Sequence, residues 1–168
     1  PTVGVVQNWK HSLFSRIDVR IGGELVSDPS TDPYPYKAFI ENWLNFSKSV
    51  QMENLRNEGY LEDTGDFGAS DGNSGWRGRQ DDLVGQGWVQ IFIPVRTDLQ
   101  TTKKPLPPDV ALSIELRRMS DEFVIMKKDS DTKTYRIAIQ KGSLYLSIQK
   151  NLPRSHLLNF EHLCYKFD

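Results

Sequence analysis

Three residues near the front of the chain, His11, Ser12 and Asp18, are the types a hydrolytic triad uses: a base, a hydroxyl nucleophile and a carboxylate to orient the imidazole. Their setting argues against that use. No nucleophile elbow surrounds Ser12, and the three fall along a strand edge where successive side chains alternate. His156, His162 and Cys164 are metal-ligand types. Neither a Cys pair nor a His-Glu-x-x-His spacing accompanies them, and a helix with exposed histidines accounts for them. The run EDTGDFGASDGNSGWRGRQDD, residues 62–82, is rich in Asp and Gly, and Asp71-Gly72-Asn73 has the start of a calcium loop. That pattern breaks at its fifth and sixth positions, held by Gly75 and Trp76, so the stretch reads as a long solvated surface loop. No glycine-rich phosphate cradle precedes a helix. The expectation is a protein that is not an enzyme, with no catalytic residue, metal or cofactor, working by shape and contact.

The elements that would position these residues follow from periodicity. In SRIDVRI, Ile17, Val19 and Ile21 alternate with Arg16, Asp18 and Arg20, the two-residue period of a strand with one face in the core. Gly22-Gly23 then marks a tight hairpin into Leu25-Val26, because glycine tolerates the positive φ of the favoured two-residue turns. The same alternation recurs at Val89, Ile91, Ile93 and Val95 and at Val110, Leu112, Ile114 and Leu116. Between these two, TDLQTTKKPLPPD carries three prolines and reads as a loop. EFVIMKKDSDTKTYRIAI reads as strand, polar turn at 129–132, and strand. The buried parity then switches from Tyr135, Ile137 and Ile139 to Leu144, Leu146 and Ile148, through either a turn or, preferably, a bulge at Gly142.

Two stretches read as helix. In DPYPYKAFIENWL, Tyr36, Phe39, Ile40, Trp43 and Leu44 follow the i, i+3, i+4, i+7, i+8 stripe of a helix facing a core. On that reading Trp43→Ala leaves a cavity and costs about 3–5 kcal/mol. SHLLNFEHLCY, from Ser155, is the second. Many short strands with one or two inserted helices predict an all-β chain, an antiparallel sandwich of jelly-roll type forming one domain over residues 1–168.

Composition excludes other classes. With 38% apolar, 26% charged and 11% aromatic residues and a net charge of −1, the chain is too apolar and too neutral to be disordered. It lacks the basic excess of a nucleic-acid module. Lys103-Lys104, Arg117-Arg118 and Lys127-Lys128 read as guards at strand ends. No apolar run reaches the roughly 18–20 residues of a membrane span, and a lone Cys164 fits an intracellular setting without disulfides. Beginning at Pro1, the chain reads as a piece of something longer.

The order HSLFSRIDVRIGGELVSDPSTDPYPYKAFIENWLNF resembles the capsid-type protein of Maverick, or Polinton, elements, the virus-like DNA transposons of animal genomes, and of their adintovirus relatives. The features that carry the likeness are His11 to Phe14, Ile17 to Val19, Leu25-Val26 and the Thr31 to Ala38 turn into the helix. Further on, 61–65, 73–79, 110–126 and 135–153 are similar to later stretches of that family. The resemblance implies a double jelly-roll major capsid protein, of which this chain would be much of the first jelly roll. It further implies self-association into trimeric capsomers, a minor capsid protein as a further partner, and a virion or virus-like particle as the destination, assembled inside the cell, the nucleus included. A jelly-roll binding module for carbohydrate or protein ligands, using Trp76 or Tyr60, is the alternative.

Overall fold

The computed structural model describes residues 3–27, 33–65, 72–83, 88–97, 99, 106, 110–128 and 130–146. In chain order the elements are β1 (Val3–Val5), α1 (Trp9–Ser12), β2 (Phe14–Ile21), β3 (Glu24–Leu25), α2 (Tyr34–Asn45), α3 (Lys48–Glu53), a 3-10 turn (Leu55–Glu58), α4 (Ser74–Asp81), β4 (Leu112–Arg118), α5 (Asp121–Val124) and β5 (Ile125–Lys127). The jelly-roll expectation fails. Helix outweighs strand, 33% to 19%, and the strands form two small antiparallel sheets of two and three members, so the chain is mixed α/β.

The larger sheet has the order β3-β2-β4. Ile17, Val19 and Ile21 stand opposite Leu116, Ile114 and Leu112, so one face is apolar, as the alternation in SRIDVRI requires. The hairpin forms at Gly22-Gly23, with φ of 60° and 90°. The smaller sheet pairs β1 with β5, joining residues 3–5 to 125–127. Two apolar clusters result. One gathers Val5, Trp9, Leu13 and Val124; the other places Tyr34 and Ala38 of α2 on Ile17 and Val19.

Local chemistry explains several departures from the alternation. His11 and Ser12 lie in a helical turn, α1, not in a strand. The turn follows Asn8, whose left-handed φ of 60° suits Asn better than most residues. Residues 121–124 are helical because Ser120 precedes Asp121 and Glu122, acidic residues that favour a first turn. Residues 88–97 and 130–146 belong to no ladder, and a bulge at Gly142 therefore has no partner strand. Part of the expected loop over 62–82 is helix: α4 packs on β1, with Trp76 and Arg79 buried. The second expected helix, with His156, His162 and Cys164, lies outside the described residues.

Helix α2 exists where the stripe places it, but it faces the other way. Its inner stripe is Tyr34, Ala38 and Asn42, spaced by four, while Tyr36, Ile40, Trp43 and Leu44 point outward. Small Ala38, fully buried, lets the helix approach β2 closely, and Asn42 donates through Nδ2 to Asn8 Oδ1 at 3.2 Å. Gln51 fixes the far end. Its Nε2 donates to the carbonyls of Asn42 (3.1 Å), Trp43 (3.3 Å) and Phe46 (2.9 Å), satisfying acceptors that a helix end leaves open. Trp43 is therefore outside the core, and truncating it opens no cavity.

Candidate functional site

Among the described residues a polar group is built around His11, which is fully buried. Turn α1 carries the ring inward. Its Nδ1 lies 2.8 Å from the hydroxyl of Tyr34, the first residue of α2, and its Nε2 lies 3.0 Å from Glu58 Oε2 at the end of the 3-10 turn. The backbone N–H of Arg96 donates to the Tyr34 oxygen at 3.3 Å, and Arg96 Nη2 donates to Glu58 Oε2 at 2.8 Å. One assignment gives the Tyr34 and His11 hydrogens acceptors: Tyr34 O–H donates to His11 Nδ1, and His11 Nε2–H donates to Glu58. The Arg96 guanidinium also lies over the Phe46 ring, 5.2 Å from its centroid. Four separate segments thus meet in one ring of hydrogen bonds.

Burial pushes the Tyr34 phenol up to about 12, the backbone N–H and charge of Arg96 only partly opposing it, so Tyr34 stays a neutral donor at ordinary pH. At Glu58 burial pushes the carboxyl up, but the hydrogen bonds from His11 and Arg96 and the Arg96 charge outweigh it and hold the group below its usual 4.5. Burial likewise lowers the Lys10 amine, against the pull of Asp82 and Glu58. Because the folded carboxyl is the stronger acid, the stability that Glu58 contributes is complete above about pH 4.5. It is lost as pH falls through the lower folded value. Glu58→Gln should therefore cost about 1.5–3 kcal/mol near neutral pH, the range for hydrogen bonds to charged groups. Urea midpoints of the two proteins should converge once pH falls below the lowered folded value of the Glu58 carboxyl; a gap that persists at acid pH would show that the clamp does not depend on the charge.

Tyr34 connects this group to a cleft. The apolar face of the larger sheet and the two runs 88–97 and 135–146 line an open cleft of about 1310 Å³, with Leu13, Ile17, Tyr34, Ile91, Val95 and Ile137 among its walls. That exceeds the roughly 300–1,000 Å³ usual for a small-molecule site. Phe92 and Tyr145 stand at 72% exposure each, their rings 5.6 Å apart.

The residues singled out for chemistry are not brought together. Ser12 Oγ donates to the Asn8 carbonyl at 3.2 Å, and Asp18 pairs with Arg16 and, at 3.4 Å, with Arg117, so neither serves His11. Asp71 lies outside the described residues. Asn73 caps α4 instead of binding a cation: its Oδ1 accepts the N–H groups of Trp76 (3.0 Å) and Thr64 (3.3 Å). Trp76 and Tyr60, expected as surface aromatics for a ligand, are buried. Of the basic pairs, Arg117 and Arg118 are matched by Asp18, Glu115 and Asp121. Among the described residues no three His, Cys, Asp or Glu side chains gather as a metal cage, and no helix is long and apolar enough to cross a membrane. Glu58 and Arg96 had no signal in the sequence: Glu58 lies 47 positions beyond His11 and Arg96 a further 38, with no motif between them.

No protein-family model, no curated protein and no solved structure matches this chain.

Proposed function

We propose that the chain is a structural subunit of capsid type, a component of a particle that works by assembling with further copies of protein. One observation supports this above others: the cleft bounded by residues 88–97 and 135–146. Both runs enter no ladder, alternate in exposure over 91–95, 135–138 and 142–145, and carry Phe92 and Tyr145 largely in solvent. Backbone lying outside any ladder beside apolar side chains is what strand addition by a neighbour draws on. The volume is also larger than one small ligand fills. The resemblance of residues 11–46 to the Maverick capsid-type protein points the same way, though the jelly roll it implied is not the fold of this chain.

The apolar lining of the cleft favours one second reading, a binding module that takes an apolar ligand or peptide there. Size exclusion with light scattering, from low to high micromolar concentration, separates the two. The expected result is mass that rises with concentration toward a closed oligomer, trimers on the family's likeness. A strictly monomeric chain at high micromolar concentration would sink the assembly reading and leave the binding module.

A further inference from the structure

The outward face of α2 is apolar in a way that its anchoring does not explain. Tyr36, Ile40, Trp43 and Leu44 are 51%, 51%, 59% and 70% exposed and form one stripe at i, i+4, i+7 and i+8. The helix cannot roll to bury them. Tyr34 is tied to His11, Asn42 to Asn8, and the last turn to Gln51. A stripe of this size, held in water by polar anchors on the opposite side, has the character of a contact surface. Phe123 of α5 extends it, its ring edge-on to Tyr36 at 5.9 Å.

The geometry points to a second copy of this chain as the occupant, its α2 lying antiparallel across the first about a twofold axis at Ile40. This rests on the assembly reading above and adds to it a surface other than the cleft. Along the stripe the apolar Tyr36 and Leu44 stand at equal distances on either side of Ile40. Antiparallel pairing sets Ile40 against Ile40, Tyr36 against Leu44, and Trp43 against Lys37, a cation facing an indole. Charge on this face cancels within each helix, since Lys37 and Glu41 form an i, i+4 pair at 3.9 Å. Two identical faces therefore meet without net repulsion, whereas a strongly acidic or basic partner would find no opposite charge to match. Helices packed about 8–10 Å apart, with Cα atoms about 2.3 Å from each axis, put two on-axis Cα atoms about 3.4–5.4 Å apart, within disulfide range at the wider spacings that bulky Tyr, Trp and Leu side chains impose.

That distance provides the test. In the chain carrying Cys164→Ser, Ile40→Cys should be oxidised by copper phenanthroline to a disulfide-linked dimer, whereas Met52→Cys, off the axis, should not. Ile40→Glu, which places two carboxylates on the axis at an exposed position, should weaken association at least about tenfold by sedimentation equilibrium, with an unchanged circular dichroism spectrum. Association equal to the parent's in Ile40→Glu, together with no cross-linking of the Ile40→Cys variant, would overturn this surface and leave assembly through the cleft standing. A parent chain that does not associate would overturn both. A monomer whose Trp43 is shielded from acrylamide would assign the face to another part of the same chain, and would also overturn the proposal.

Discussion

Replacing Arg79 with Met should lower the unfolding free energy by about 3–5 kcal/mol, the range for breaking a buried ion pair from one side. The guanidinium is fully buried and joins three segments. Its Nε donates to the Val5 carbonyl of β1 at 2.8 Å, Nη1 to the Leu61 carbonyl, and Nη2 to Asp63 Oδ1 at 2.7 Å. Removing it strands a carboxylate that is itself 6% exposed, and two carbonyls with it. The double variant Arg79→Met, Asp63→Leu should recover part of the loss because the unpaired charge is gone. The rest should persist, since the Val5 and Leu61 carbonyls still lack a donor, at about 1–3 kcal/mol for each one left unsatisfied. Chemical denaturation of the parent, the two single variants and the double variant measures this. Strictly additive losses would mean that the pair is not coupled and that Arg79 acts through packing alone.

Gly75→Ala should be nearly as damaging, at about 3 kcal/mol or more, the upper end for overpacking. The reason is contact with backbone. A Cβ at this position would sit 2.0 Å from the Glu62 carbonyl oxygen and 2.6 Å from its carbon, so no side-chain rotamer can relieve it. Ala is otherwise the better helix residue by about 1 kcal/mol, so the expected sign is opposite to that at an exposed helical glycine. Thermal unfolding of Gly75→Ala beside Gly78→Ala gives the comparison, because the Cβ at position 78 meets only the flexible tip of Leu61, at 2.8 Å. If Gly75→Ala proves as stable as the parent, the close approach of α4 to residues 62–63 is not a feature of the molecule in solution.

Local features of this fold were legible in the sequence and distant ones were not. The Gly22-Gly23 hairpin and the apolar face of β2 follow from rules spanning a few residues, and both hold. The existence of α2 was also legible. Its orientation was not, because the periodicity rule assigns the larger apolar face to the core, whereas the choice here is made by partners far along the chain: Asn8 for Asn42, His11 for Tyr34, and β2 for Ala38. In the same way, the alternation at 89–95 and 135–146 specifies extended backbone but carries no information about whether a neighbouring strand exists. Trp76 and Arg79 were lost inside a Gly- and Asp-rich stretch that composition alone assigns to solvent, though Asn73 three residues ahead of Trp76 is a helix-cap signal that could have marked α4. The His11 group required three residues from separate segments, and nothing local joins them.

The pairing of β1 with β5 has a consequence for how the protein is made. A ribosome adds about 5–20 residues per second, so the roughly 120 positions from Val5 to its partner Ile125 take about 6–24 s to translate. Through that interval the first strand has no partner, and β2 likewise waits for residues 112–118. Neither sheet can close on a nascent chain that stops short of β4. Until then the edge of β2 that pairs with β4 stays open, although β3 and the Tyr34 and Ala38 face of α2 are already made and can cover Ile17 and Val19. Closure of both sheets is therefore a late step, whereas the β2–β3 hairpin and the contacts of α1, α2 and the 3-10 turn can form while residues 112–127 are still unmade.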